Sequence, residues 1–321
     1  MAGTSASALG ATLHSGQAAA AAPPAANEQA SGFYRYRVGE FQVTVVTDGV
    51  NTYPIPEGFV TNVPRNEVGA ALAAAYLDGE KISVPYSPIV VNTGSRLVVF
   101  DTGTGEANFA ASKGAGGQFH RNLQASGLKQ ADVDTVVISH FHGDHVNGLL
   151  TADGKPAFPN AEILVPRAEW AFWMDDGEMS RASKGRMEGL FRNNRRVFDA
   201  LGRKVTPYEW DREVVPGITA VGTPGHSPGH TSYVIASGGA KVFVQSDVTN
   251  VPVLFARNPG WHLSFDQDPV MAEATRRRVY DMLSAERMKV QGFHYPFPAL
   301  AHVEKSGNGY REIPVPWSPV V

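Results

Sequence analysis

The sequence contains no cysteine, which excludes disulfides and thiolate chemistry and leaves nitrogen and oxygen as the donors for any bound metal. It has no stretch approaching the ~18 consecutive apolar residues that a helical membrane span needs, so no membrane partner is expected. It also lacks a strong excess of either charge. The 28 Lys and Arg against 31 Asp and Glu give a formal net charge of -3, which supplies no broad basic field for nucleic acid. The local exception is residues 181–196, where Lys184, Arg186, Arg192, Arg195 and Arg196 are spaced like the wet face of a helix. A clear leader is missing too. Residues 1–31 contain Ala18 to Ala22, Pro23, Pro24 and an Ala-x-Ala pattern, but neither a basic n-region nor a strong apolar h-region. They read as a disordered segment ahead of a single domain over residues 32–321. If they are the remnant of an export signal, the protein is periplasmic or secreted, and otherwise cytoplasmic.

What the sequence does have is a dense cluster of metal donors. Ser139-His140-Phe141-His142-Gly143-Asp144-His145 follows the apolar stretch Val133 to Ile138 and holds three of the chain's ten histidines with an aspartate. Neutral imidazoles and carboxylates are the side chains that bind zinc and similar divalent ions. On an extended chain His140 and His142 point the same way and can grip one ion, while Asp144 and His145 fall where the chain turns into an expected helix over Val146 to Leu150. A second donor cluster, His226 and His230, lies in the Gly- and Pro-rich stretch Gly222 to His230 after a strand ending at Val221. Asp247 follows the apolar strand Val242 to Gln245, and His294 follows Val290 to Phe293. All sit at strand ends, so loops on one sheet edge can bring them together.

The hydrophobic pattern predicts short strands at Tyr34 to Val38, Phe41 to Thr47, Ile89 to Asn92, Leu97 to Phe100, Val133 to Ile138, Ile163 to Val165, Ile218 to Val221, Ser232 to Ala236 and Lys241 to Gln245, with Val290 to Phe293 as a last inner strand. Helices are predicted over Glu67 to Leu77, Gly117 to Ser126, Arg167 to Met174, Ser180 to Leu201 and Pro269 to Glu286. Runs of strands interrupted by helices, without a fixed repeat, favour sheet layers covered by helices.

His140-x-His142-x-Asp144-His145, then Thr-Pro-Gly-His226, Asp247 and His294 together resemble the metallo-β-lactamase superfamily. The resemblance implies an α/β fold, an αββα sandwich of two mixed sheets with helices outside, and a dinuclear centre. On that basis His140, His142 and His226 would hold the first ion, Asp144, His145 and His294 the second, and Asp247 both. Asp101 of Asp101-Thr102-Gly103 matches an aspartate that supports the ligands from behind. Phe33-Tyr34-Arg35, Thr47-Asp48-Gly49, Val91 to Ser95, Phe172-Trp173 and His294 to His302 narrow the resemblance to the methyl parathion hydrolase group of organophosphorus hydrolases, although Gly185-Arg186-Met187 stands where that group has an aromatic-rich stretch. A homodimer is what this resemblance suggests.

The expected activity is hydrolysis of a small neutral, partly hydrophobic ester, lactone or organophosphate triester by two divalent ions, most readily zinc. A hydroxide bridging the ions is the expected nucleophile, with Asp247 holding the pair and Asp144 passing a proton to the leaving group. Phe109, Trp170, Trp173, Phe255, Trp261 and Phe265 are candidates for the pocket wall, with Phe109, Trp173, Trp261 and Phe265 preferred, as an apolar wall suits such substrates. His230 and His302 are expected to hold loops rather than metal. The alternative in the same fold is an iron enzyme acting on sulfur or oxygen substrates, followed by a nuclease or a β-lactamase.

Overall fold

The computed structural model describes residues 3, 22 and 29–321, and from Ser31 to Val321 they form one compact unit. The expectation of disorder over residues 1–31 falls almost entirely outside the described residues. One seven-stranded sheet has the order β1 (Phe33–Val38), β2 (Phe41–Val46), β5 (Ile89–Asn92), β6 (Leu97–Phe100), β7 (Thr135–Val137), β8 (Glu162–Pro166), β9 (Thr206–Tyr208). The other runs β10 (Glu213–Val215), β11 (Ile218–Gly222), β12 (Thr231–Ser237), β13 (Ala240–Ser246), β14 (Lys289–Gly292), β15 (Leu300–Ser306), β16 (Gly309–Pro314). Strands β6 to β9 are mutually parallel, as are β13 and β14, and the remaining neighbours in both sheets are antiparallel. A hairpin of β3 (Gly49–Pro54) and β4 (Lys81–Tyr86) stands apart from both.

Alternation along the strands explains the layering. In β6, Val98 and Phe100 face the second sheet, meeting Ala220, Tyr233 and Ile235, while Val99 faces outward. In β7, Val137 points inward and Val136 outward in the same way. The outer face of the first sheet is covered by α3 (Phe119–Ala125), α5 (Arg167–Trp173) and α7 (Arg186–Ala200) through Leu123, Trp173, Phe191, Val197 and Phe198. Helix α9 (Pro269–Glu286) covers the second sheet through Val279, Tyr280 and Leu283. It starts where expected because the Asp268 side chain caps the Met271 N–H and Pro269 occupies the first turn. The other helices are α1 (Arg65–Ala73), α2 (Asn108–Ala111), α4 (Gly143–Val146), α6 (Asp176–Arg181) and α8 (Pro252–Phe255). The αββα sandwich expected from the sequence is the architecture observed.

Several local expectations are corrected. The helix expected over Ser180 to Leu201 is interrupted: α6 ends at Arg181, where Ala182 turns extended, and α7 begins at Arg186 after Gly185, whose φ of +94° no right-handed helix contains. The helix expected at Val146 to Leu150 begins earlier, at Gly143, and ends in a 3₁₀ turn over Asn147–Leu149. Val290 to Phe293 is not the last inner strand, since β15 and β16 follow and extend the sheet. The pair β3–β4 escaped the pattern because α1 lies between its strands, so no tight turn signals the pairing, and because Val50, Asn51 and Thr52 of β3 are exposed in a row instead of alternating.

Trp173 is also corrected: it is fully buried between α5 and α7, its indole N–H donating to Glu169 at 2.7 Å. Truncation should therefore act on stability rather than on substrate. Trp173→Ala is expected to cost about 3–5 kcal/mol in urea unfolding, as for other large-to-small core changes, and Phe265→Ala, at a partly exposed wall, well under half of that. Equal losses would contradict this placement.

Candidate metal centre

The donors sit at one edge of the sandwich because the strands that carry them end there. Strand β7 runs into Ser139 and His140, β13 into Asp247, and β14 into Phe293 and His294. Parallel pairing of β13 with β14 sets Asp247 beside His294, with Oδ2 and Nε2 3.0 Å apart. At the ends of β6 and β13, Asp101 and Ser246 take φ +57° and +51°, left-handed values that turn the chain sharply at the site. In the loop after β11, Gly225 has φ +126°, and a Cβ there would lie 2.3 Å from the Ala272 backbone nitrogen, so glycine lets the His226 loop pack on α9.

All seven expected ligands converge. His140, His142 and His226 form one group, His140, His145 and Asp247 a second, and Asp144, His145 and His294 a third, the donor atoms of each lying within 4.8 Å of one another. His142 Nδ1 is 3.0 Å from His140 Nε2 and 2.9 Å from His226 Nε2. Asp247 stands between the groups: Oδ1 is 3.2 Å from His145 Nε2, and Oδ2 is 3.3 Å from His226 Nε2 and 3.0 Å from His294 Nε2. Asp144 Oδ2 lies 3.6 Å from His145 Nε2 and 3.4 Å from His294 Nε2.

The arrangement asks for cations. His145 Nε2 and Asp247 Oδ1 are buried with no hydrogen-bond partner although they nearly touch, and a buried polar atom left unpaired is costly. Burial and then the neighbouring His145 and His142 hold His140 well below its ordinary pKa, and burial, His226 and Arg186 do the same to His142. Both rings are neutral and ready to donate lone pairs. Burial opposes charge on His226, but hydrogen bonds to Asp247 and Asp266 outweigh it and raise that ring to about 9. On His145 the same penalty is overcome by Asp247, Asp101 and Asp144, which raise it well above the usual value. The carboxylates thus draw protons into positions that divalent ions suit better.

Behind four of the five rings, a hydrogen bond on the far nitrogen fixes which nitrogen faces inward, while the buried His142 Nε2 has no such partner. His145 Nδ1 bonds Asp101 at 2.8 Å, His226 Nδ1 bonds Asp266 at 2.8 Å, His294 Nδ1 bonds the Pro85 carbonyl at 2.8 Å, and His140 Nδ1 lies 3.1 Å from Ser139 Oγ. His230 stays out of the donor groups. Its Nε2 accepts the Asp247 N–H at 3.0 Å and its Nδ1 faces Thr223, so it steadies the loop that carries Asp247. His302 lies elsewhere, against the Arg287 carbonyl at 3.1 Å.

Glu169 and Asp266 escaped the sequence reading. Glu169, fully buried, accepts the N–H groups of Phe141 at 3.0 Å and Gly229 at 2.7 Å and the Ser227 hydroxyl, so one carboxylate ties the His140–His142 loop to the His226 loop. Asp266 bonds His226 and, at 3.2 Å, the buried Arg276. Sequence distance hides both.

A cavity of about 790 Å³ opens over the donors, with His142, Asp144, His226, Asp247 and His294 in its floor. Of the aromatics proposed for its wall, Phe265 lines it, and Phe109, Trp173 and Trp261 do not. Trp173 and Phe255 are spent in the core, Trp261 packs on the hairpin cluster, and Phe109 lies under Arg121, 5.9 Å from ring to guanidinium. Tyr53 and Tyr86 from the hairpin take their place, beside Asn51, Asn108, Asn147 and Asn250. The wall is more polar than the sequence suggested.

If Asp266 acts by orienting His226, Asp266→Ala should weaken metal affinity by about 10–100-fold while the far-UV spectrum stays native. Competition with a chromogenic chelator measures it, and unchanged affinity would remove that role.

The metallo-beta-lactamase superfamily model matches residues 84–273. The N-acyl homoserine lactonase of Bacillus cereus is 36% identical over 113 residues, 35% of this chain and 37% of that protein. The N-acyl homoserine lactonase AttM of Agrobacterium fabrum is 30% identical over 122 residues, 35% of this chain and 40% of its own length. The chain thus aligns with little more than a third of the first of these curated relatives. Among solved structures, AidC, a dizinc quorum-quenching lactonase, has a TM-score of 0.82 at 24% identity, covering 90% of this chain and 99% of that one, a likeness of fold. A hydrolase named AbOPH, in the beta lactamase superfamily, has a TM-score of 0.82 at 26% identity, covering 91% and 100%. The narrower methyl parathion hydrolase resemblance gains no support from these matches. The family match runs through the strand ends that carry His140 to His145, His226 and Asp247, and the chain belongs to the metallo-β-lactamase superfamily.

Proposed function

We propose that the protein is a dinuclear metal-dependent hydrolase whose substrates are lactones and related esters. The observation that carries this is the convergence of seven buried or half-buried His and Asp donors on the floor of one open cavity. His140, His142 and His226 would hold one ion and Asp144, His145 and His294 the other, with Asp247, which lies beside His145, His226 and His294, serving both. The all-N/O donor set suits zinc, and the dizinc description of AidC supports that choice. N-acyl homoserine lactonases among the relatives favour a cyclic ester over a phosphotriester.

Bound there, two such ions would polarise a carbonyl oxygen and lower the pKa of water to about 7. The chain supplies the rest. Asp144, its side chain a quarter exposed at the cavity, is placed to take the proton of the attacking water. As the carbonyl carbon gains that oxygen and loses its bond to the ring oxygen, the proton passes to the departing alkoxide. Tyr53 also lines the cavity, and burial together with Asp144 pushes its phenol up to about 12. It remains a hydrogen-bond donor across the neutral range.

The test is a panel of N-acyl homoserine lactones, unsubstituted lactones, aryl esters and phosphotriesters, run beside elemental analysis of the purified protein. Lactone opening with two zinc ions per chain is expected. Iron without hydrolysis would overturn the reading in favour of redox chemistry, and phosphotriesters as the best substrates would restore the organophosphorus resemblance. Asp247→Ala should lose activity by more than the ~100-fold typical of removing an outer support, with the fold retained.

Metal uptake has a pH signature. Because His226 is raised to about 9 and His145 well above its ordinary value, both rings carry protons near neutrality and must shed them to bind an ion. Affinity should rise with pH through the neutral range and on through about 9, where the His226 ring sheds its proton. Calorimetric titration in buffers of different ionisation enthalpy reads the released protons, and a buffer-independent heat would contradict this.

A further inference from the structure

Outside the His and Asp donors, Arg186 is the one charged residue among the described residues that line the cavity. The sequence pattern groups it with a wet helix face; Arg192 lies there, exposed and paired with Glu188, whereas Arg195 is largely buried and pairs with Asp176 at 2.6 Å. Arg186 departs from them. The break at Gly185 starts α7 afresh, and Arg186 and Leu190, one turn apart, both reach the cavity. The guanidinium lies over the Phe265 ring, 4.4 Å from its centroid, with Nη1 donating to the Ser264 carbonyl at 2.6 Å and Nη2 to the Phe265 carbonyl at 3.5 Å.

Those contacts hold the group in place without neutralising it. No carboxylate among the described residues lies within ion-pair distance of Arg186, while Asp144 and Asp266 act on it only through space. Two carbonyls occupy two of its five N–H donors, so a fork remains for a further acceptor. The nearby wall residues Asn51, Asn108, Asn147 and Asn250 are polar and uncharged, and none of them offers a counter-charge.

We infer that Arg186 is a specificity-determining residue that binds a carboxylate on the part of the substrate remote from the scissile ester. The inference rests on the hydrolase reading and refines it: the preferred esters and lactones carry an anionic substituent, which the guanidinium, exposed at the cavity wall, holds by charge-assisted hydrogen bonds.

The test separates this from catalysis by measuring binding alone. Succinate, glutarate and adipate are titrated calorimetrically into the zinc-loaded full chain beside the matched monocarboxylates, which reach the metals but have no second anion for Arg186. In the unaltered protein at least one dicarboxylate should bind on the order of tenfold tighter than its monocarboxylate. That ratio should fall to about one in Arg186→Gln and be partly kept in Arg186→Lys, which preserves charge without the fork. A purely structural strap would weaken both ligand classes alike and leave the ratio unmoved, overturning the inference. So would equal binding of mono- and dicarboxylates in the unaltered protein. Should the dicarboxylate preference depend on Arg186 while no ester or lactone is hydrolysed, the anion site stands and the hydrolase reading falls.

Discussion

Buried carboxylates that never reach the cavity hold this centre in shape. Asp101, Asp266 and Glu169 are each almost or wholly withdrawn from water, and each uses its oxygens on the backbone or rings that carry the donors. A buried carboxylate without partners is costly, so these positions are stable only when their loops close around them. The same bonds settle ring tautomers and join loops that are far apart in sequence. Glu169 does this most directly, since one side chain bonds the backbone between His140 and His142 and the backbone just beyond His226.

Charge is therefore layered. The inner donors repel one another unless something positive lies among them, and the outer carboxylates deepen that demand by keeping His145 and His226 prone to protonation. Protein with this layering favours a cation in either form, protons or metal. The fold accepts that tension because the sheets beneath are packed by alternating aliphatic residues that require no such compensation.

The sequence was legible where chemistry was local or periodic. His140 to His145 could be read because four donors fall in six positions, and α9 because its cap, proline and apolar face coincide. Legibility failed where a residue's meaning comes from distant partners. Glu169 looks like an ordinary helix glutamate until Ser227 and Gly229 fold onto it. Trp173 and Phe265 are alike as aromatic residues in a sequence, but one fills the core under α7 and the other walls the cavity. Arg186 misled for a related reason: a helical pattern drawn through Gly185 put it on the wrong face, and only the reset of the helix there returned it to the site.

Strands β13 and β14 are adjacent and parallel, although Asp247 and His294 are 47 positions apart. A single backbone adjacency thus fixes the spacing of two donors, whatever the chain does in between. That excursion contains α8, α9 and the segment bearing Phe265, and its outer turns can lengthen or change composition while the ladder beneath keeps its register. The excursion is not free of the floor, however: Phe265 on the wall is followed directly by Asp266, which bonds His226, so a change of wall there is made next to the support of a donor.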